Sequence, residues 1–187
     1  MPASLGESLI ETAKRLLPTE PGRPRQSDLR RAISTAYYAV FHTLAKSNAD
    51  LLALKSDGVL ERAWSQVYRA LQHGTFAQDD RTKRLKEFPK KVQTFVDIFD
   101  ELRHARHAAD YDPHRKFTEA EARSAIERAV NALLLFDDIS EKDKRALAVL
   151  SLLPLPKAVR SANLDPGPPA VGSGRGVRAE SRRSGAS

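Results

Sequence analysis

Apolar residues recur through most of this chain at intervals of three and four positions, which is the spacing of one face of an α-helix. Six stretches show this pattern. They are residues 5–17, 27–46, 58–73, 89–111, 119–138 and 141–153. The sequence contains no pair of strand patterns and no internal repeat. The pattern therefore predicts an all-α fold, an antiparallel bundle of four to five helices with a short final helix.

Residues that start or stop helices mark the boundaries. Ser4 with Glu7, and Thr118 with Glu121, have the spacing of a capping box. Ser27 is the expected N-cap of the long second helix. Loops are expected at residues 18–26, which include three prolines, and at residues 48–57.

The chain divides into a helical part and a tail. Residues 1–153 are predicted to form one domain, with its core at about 5–138 and the short final helix at about 141–153. Residues 154–187 are rich in Pro, Gly, Ser and Arg and have little apolar surface to bury, which predicts a disordered basic tail. The net charge is +7, and residues 155–187, with six Lys or Arg and two acidic residues, contribute four of these charges.

Composition excludes several kinds of chemistry. The chain has no cysteine, which excludes disulfides, thiolate catalysis and cysteine-bound metal. No apolar run is long enough to span a membrane, and the first residues lack the pattern of a secretory signal. We therefore expect a cytoplasmic protein that does not insert into membranes.

The end of the fourth helix combines apolar and charged residues on one face. The apolar stripe of residues 92–102 continues, in the same register, into Arg103, Arg106 and Asp110. Charges rarely face a core unless they are paired or used. One interpretation is structural, with Arg106 bonded to Asp110 one turn later. The other is a polar functional site at the end of the bundle.

The residue types at this helix end suggest phosphate chemistry. Arg103 and His107 lie one turn apart, as do His107 and Tyr111. Arginine can hold a phosphate with two hydrogen bonds, and histidine can move a proton near neutral pH. Together they could cleave RNA without a metal; alternatively, His107 is a helix C-terminal histidine favoured by the dipole. Nearby histidines have no ligand-rich partner helix, so we predict no metal and no cofactor.

A basic segment precedes the fourth helix. Its candidate RNA-binding residues are Arg81, Lys83, Arg84, Lys86, Lys90 and Lys91. Two of them, Lys90 and Lys91, lie in the first helical turn and oppose the helix dipole. This arrangement favours an anionic partner, and a solvated basic loop is the alternative.

Two segments together resemble one known family. Residues 29–44, LRRAISTAYYAVFHTL, resemble the second helix of HEPN (higher eukaryote and prokaryote nucleotide-binding) domains. Residues 102–113, LRHARHAADYDP, resemble the late-helix motif of that family in its Arg-x-x-Ala-Asp-Tyr variant. The resemblance covers about residues 5–136. This sequence lacks the usual family spacing of four to six residues between the arginine and the histidine. Three residues separate Arg103 from His107, and seven separate Arg106 from His114.

The resemblance implies a homodimeric helical bundle whose motif helices face each other. It also implies RNA binding and metal-independent RNA cleavage in a toxin or defence module. The residues expected to act in catalysis are Arg103, Arg106, His107 and Tyr111, supported by Asp110, Tyr38 and His42. The alternative is a non-catalytic module that dimerises and binds a partner protein, such as a small nucleotidyltransferase antitoxin.

Overall fold

The computed structural model describes residues 3–18, 24–53 and 58–155. Within these ranges the chain forms seven α-helices and one short 3₁₀-helix, at residues 75–77, and contains no β-strand. The α-helices are α1 Leu5–Arg15, α2 Gln26–Leu52, α3 Gly58–Ala70, α4 Asp79–Leu85, α5 Lys90–Tyr111, α6 Glu119–Asp137 and α7 Glu141–Leu152. The predicted all-α bundle is confirmed. The predicted tail falls almost wholly on residues 156–187, which lie outside the described residues.

The long helix α2 lies at the centre of the bundle. It packs against α1, α3, α5, α6 and α7. Five alanines of α2 are fully buried and let its neighbours approach closely: Ala32, Ala36, Ala39, Ala45 and Ala49. Its larger buried side chains, among them Ile33, Tyr37 and Leu44, fill the space between the helices. No helix of the described ranges is both long and apolar enough to cross a membrane.

Both predicted capping boxes form. The Ser4 side chain accepts from the Glu7 amide while the Glu7 carboxylate accepts from the Ser4 amide, and Thr118 and Glu121 do the same for α6. The predicted N-cap at Ser27 is wrong, because α2 begins at Gln26 and its N-cap is Arg25, two residues before Ser27. The Gln26 side chain instead exchanges two hydrogen bonds with the backbone of Phe117, which anchors the start of α2 to the segment before α6.

Two predicted boundaries also differ from the structure. Helix α2 continues to Leu52, so residues 48–52, which were expected in a loop, are helical, and residues 54–57 of that expected loop lie outside the described residues. Asn48 is buried inside α2 because its amide donates to Ser151 Oγ of α7 at 3.0 Å, which gives this polar residue a partner in the core. Helix α3 ends at Ala70, three residues before His73.

The apolar stripe of α5 sets the rotation of that helix. Val92, Phe95, Val96, Phe99 and Leu102 are all buried, as the periodicity predicts. The same stripe continues toward the C-terminal end of α5, where Arg106 and Asp110 contact α2. The polar positions of α5 and α2 therefore meet where the apolar contact ends.

The first helix approaches α2 very closely at Gly6. A Cβ atom at this position would lie 2.3 Å from Thr43 Oγ1 and 3.2 Å from the carbonyl oxygen of Ala39. Only a residue without a side chain allows this contact.

The C-terminal end of α5 is held by one side chain of α2. Arg30 donates from Nη1 to the carbonyl oxygen of Ala109 at 2.7 Å, and from Nη2 to those of Asp112, at 2.8 Å, and Arg115. The last carbonyls of a helix lack partners within the helix, and a cation also complements the negative end of its dipole. Arg30 therefore caps α5 next to its polar residues.

Candidate functional site

Arg106 and Asp110 of α5 contact Tyr38 and Ser34 of α2, and we call these four residues the Arg106 clasp. The Arg106 Nη2 atom donates to the hydroxyl of Tyr38 at 2.9 Å, and the Arg106 Nε atom lies 2.6 Å from Asp110 Oδ2. The ion pair is close, although the buried Nε is not aligned to donate a hydrogen bond. Ser34 of α2 donates to the same carboxylate oxygen at 3.3 Å. The Arg106 clasp therefore joins the two helices through both charge and hydroxyl groups.

Two aromatic rings flank the Arg106 guanidinium. Its Cζ atom lies 5.5 Å from the centre of the Tyr38 ring and 5.2 Å from that of Tyr111. The Arg106 side chain is only 14% exposed. Burial lowers the pKa of Arg106, but Tyr38, Asp110 and Tyr111 outweigh burial and raise it. The guanidinium is therefore a fixed positive charge close to the surface.

Two histidine–tyrosine pairs lie close to Tyr38, with the ring centres of His42 and His73 at 5.9 and 6.0 Å from that of Tyr38. Tyr37 Oη lies 2.6 Å from His73 Nδ1, and Tyr68 Oη lies 2.7 Å from His42 Nδ1. Burial raises the pKa of both tyrosines and lowers the pKa of both histidines, so all four groups are uncharged at neutral pH. Each neutral imidazole has one N–H group and one acceptor nitrogen, so its Nδ1 atom pairs with the tyrosine hydroxyl in either tautomer.

Four rings extend away from Arg106 in one stacked series, which we call the ring ladder. It runs from Tyr38 to His42, Tyr68 and Trp64. Successive ring centres are 5.9, 5.9 and 5.1 Å apart, with interplanar angles of 24°, 13° and 23°. The first two rings are one turn apart on α2 and the last two are one turn apart on α3, so the ladder joins these helices.

Two of the remaining predicted site residues, His107 and Tyr111, lie on the exposed side of α5. His107 is exposed, and its ring centre is 5.1 Å from that of Tyr111, which is 62% exposed. The Tyr111 ring therefore contacts both the His107 ring and the Arg106 guanidinium. Arg103 contacts other residues of α5: its Nε donates to Asp100 Oδ1 at 2.7 Å, and its Nη2 lies 2.7 Å from His104 Nε2.

Arg81 does not lie on the predicted RNA-binding surface. Its side chain is 8% exposed, and its guanidinium donates to three carbonyl oxygens at the end of α7, those of Leu150, Ser151 and Leu153. It also donates to Thr75 Oγ1 at 2.8 Å. The prediction for Arg81 is wrong, because this cation caps α7 inside the fold.

The other residues of the basic segment are exposed: Lys83, Arg84, Lys86, Lys90 and Lys91. Lys91 pairs with Asp138, and Lys83 lies 4.0 Å from Asp80. Exposed pairs of this kind contribute little to stability and exchange readily with other anions. The segment thus presents positive charge to solvent on and next to the short helix α4.

No family model, curated protein or solved structure matches this chain. Among residues 3–18, 24–53 and 58–155, no group of three or more His, Asp or Glu is placed to hold a metal ion. What the site can do follows from its side chains: it offers the fixed guanidinium of Arg106, two imidazoles paired with tyrosine hydroxyls and the exposed imidazole of His107.

The sequence reasoning missed His73 and Tyr68 as members of this site. The sequence predicts His73 at the end of a helix, whereas it follows α3, and its ring centre lies 4.5 Å from that of Phe41. The signal for Tyr68 was present, since Trp64 and Tyr68 repeat the i, i+4 aromatic spacing of Tyr38 and His42.

Proposed function

We propose that this chain is a HEPN-type RNA-binding module in which Arg106 holds a backbone phosphate. The observation that carries this proposal is the Arg106 clasp, a permanently charged guanidinium close to the surface and flanked by the rings of Tyr38 and Tyr111. Guanidinium groups bind phosphate oxygens through paired, charge-assisted hydrogen bonds. Phosphate contacts of this kind position an RNA chain without reading its sequence.

The same proposal includes metal-independent RNA cleavage by His107. His107 is exposed and its ring lies next to Tyr111, whose ring contacts the Arg106 guanidinium, so His107 is the histidine placed to act as the base. His107 takes the proton of the 2′-hydroxyl, the 2′ oxygen attacks phosphorus, and the 5′ oxygen leaves with a proton from solvent. Arg106, with Arg103 in support, stabilises the charge that develops on the phosphorane.

Positive charge outside the site supports the choice of RNA. Lys83, Arg84, Lys86 and Lys90 are exposed in the segment that runs from α4 to the first residue of α5. Such a segment attracts a polyanion over several ångströms, and its contribution weakens as salt screens it. We therefore expect the logarithm of the RNA association constant to fall linearly with the logarithm of the salt concentration.

The family resemblance extends the proposal to a homodimer that acts as a toxin or in defence. In this arrangement the exposed edge of α5, with His107 and Tyr111, faces a second copy of the chain. A nucleotidyltransferase antitoxin would then bind the dimer and block the RNA site.

A second candidate function is a non-catalytic interaction module. The observation that favours it is that Arg106 already has partners inside the chain, namely Asp110, Tyr38 and Tyr111. In that case the clasp is structural, and the exposed rim of α5 contacts a partner protein.

A metal-free RNA assay separates the two functions. Fluorescence anisotropy measures binding of labelled RNA, and gel electrophoresis in the presence of EDTA measures cleavage. The variants are Arg106→Gln and His107→Ala, with Arg145→Gln as the matched control, because Arg145 forms an equivalent i, i+4 pair with Glu141 at 2.6 Å on α7. Circular dichroism verifies that each variant is folded.

The proposal predicts cleavage by the wild type and by Arg145→Gln, and its loss in the other two variants. Binding that depends on Arg106 without cleavage by the wild type would retain RNA binding and refute the catalytic step. Absence of RNA binding by the folded wild type would refute the proposed function and favour the interaction module.

A further inference from the structure

The ring ladder leads from Arg106 to a cleft that the proposed function does not use. The cleft has a volume of about 490 Å³ and lies between α1, α2, α3 and α6. This size is within the range of small-molecule sites, about 300–1,000 Å³. Three of its lining residues are ladder rings: His42, Tyr68 and Trp64.

The polar groups of the cleft differ from those around Arg106. Two carboxylates line it, Asp50 and Asp137, with Lys46 beside Asp50. Asp50 Oδ1 also accepts a hydrogen bond from Trp64 Nε1 at 2.8 Å. Carboxylates repel phosphate but accept hydrogen bonds from the amino groups of nucleobases. The charge at the two ends of the ladder thus suits phosphate at Arg106 and a base in the cleft.

We propose that this cleft binds one unpaired nucleobase of an RNA chain whose backbone phosphate lies at Arg106. The inference rests on the proposed function and extends it by naming the substrate class as single-stranded RNA. A planar base in the cleft contacts Trp64 by offset stacking or edge-to-face packing and contacts Tyr68 along the edge of its ring, because the faces of Tyr68 are stacked on His42 and Trp64. Aromatic side chains bind the bases of single strands in this way with little dependence on sequence.

Double-stranded RNA cannot use such a cleft. In an A-form duplex each base is stacked between neighbours and paired along its edge, so its faces are closed to a protein. Entry of a base into the cleft would require it to leave the stack, which costs free energy. The inference therefore predicts a preference for single strands that phosphate binding alone would not produce.

The test uses the tryptophan of the cleft as its reporter. The chain contains one tryptophan, Trp64, so intrinsic fluorescence reports on the cleft directly. The folded, full-length protein is titrated with a ten-nucleotide oligoadenylate, with an abasic oligonucleotide of the same length and phosphate number, and with the adenylate paired in a duplex. Anisotropy measures binding, and Trp64 emission measures entry of a base.

We expect oligoadenylate to bind at least about fivefold more tightly than the abasic strand, the lower end of what one base–aromatic stack contributes. Oligoadenylate should quench Trp64 emission in parallel with binding, whereas the abasic strand and the duplex should not. Tyr68→Leu should reduce the preference for oligoadenylate over the abasic strand, while Gln66→Ala, at an exposed position of α3, should leave it unchanged. The wild-type comparison holds even if Tyr68→Leu fails to fold.

Failure of the inference differs from failure of the proposed function. Equal affinity for the adenylate and abasic strands, with unchanged Trp64 emission, would overturn the base cleft and leave phosphate binding at Arg106 intact. Equal quenching by the duplex and the single strand would overturn the proposed substrate class. Binding of none of the three ligands would overturn the proposed function and the inference with it.

Discussion

Arg81→Ala tests whether a buried cation holds the end of α7 to the rest of the bundle. The Arg81 Nη1 atom lies 2.6 Å from the carbonyl oxygen of Leu150 and 2.7 Å from that of Ser151, and Nη2 lies 3.2 Å from that of Leu153. These carbonyls end α7 and have no partner within the helix. Truncation to alanine removes all of these hydrogen bonds and leaves space that water must fill.

The magnitude follows from the two shortest of these bonds. A hydrogen bond to a charged group contributes about 1.5–3 kcal/mol. Each of the two bonds is counted at about 1.5–2 kcal/mol, the lower part of this range, because the variant also recovers part of the cost of burying the charge. The free energy of unfolding should therefore fall by about 3–4 kcal/mol. For a chain of this size, each kcal/mol corresponds to about 2–4 °C in Tm, so the midpoint should fall by about 10 °C.

Urea-induced unfolding followed by far-ultraviolet circular dichroism measures this loss. Arg84→Ala is the matched control, because Arg84 is an exposed arginine on the same helix, and its free energy of unfolding should stay within about 0.5 kcal/mol of the wild type. Arg81→Lys should fall between the two, since lysine keeps the charge without the planar fork. A loss below about 1 kcal/mol for Arg81→Ala would refute the cap.

Two further predictions concern stability. Burial lowers the pKa of His42 and His73 below the ordinary value of 6.5. As pH falls through this range, the unfolded chain therefore binds more protons than the folded chain. The free energy of unfolding should decrease from about pH 6.5 towards pH 5 and be flat above 6.5. Urea titrations across this range measure the slope, and an unchanged slope in the variant His42→Gln with His73→Gln would contradict the assignment. Gly6→Ala places a Cβ atom 2.3 Å from Thr43 Oγ1 and should cost about 1–3 kcal/mol. Gly74→Ala, where a Cβ atom meets nothing within 4 Å, should be near neutral, and equal thermal midpoints for the two glycine variants would refute the packing argument.

Helices were predictable where periodicity and local capping agree. The boundaries of α1 and α6 depend on residues three positions apart, so the sequence shows both partners of each capping box. The end of α2 was missed because Asn48 is a common loop residue, and its helical place depends on Ser151, far along the chain. Local propensity yields to tertiary hydrogen bonding at such positions.

The same distinction explains what was predictable in the site. The pairing of Arg106 with Asp110 follows from their i, i+4 spacing and could be read directly. The contact of Arg106 with Tyr38 joins residues 68 positions apart, and the family resemblance of both segments was the clue to it. Arg81 was assigned to the surface because its neighbours in sequence are basic; only the carbonyls of α7 reveal that it is buried.

The contact of Arg30 with three carbonyls bears on how this protein can vary. One guanidinium reaches oxygens of Ala109, Asp112 and Arg115, which lie on both sides of the bend that follows α5. Insertion or deletion of a single residue within this bend would move one oxygen out of reach. Functional variants obtained by random insertion should therefore keep the length of residues 112–116 unchanged.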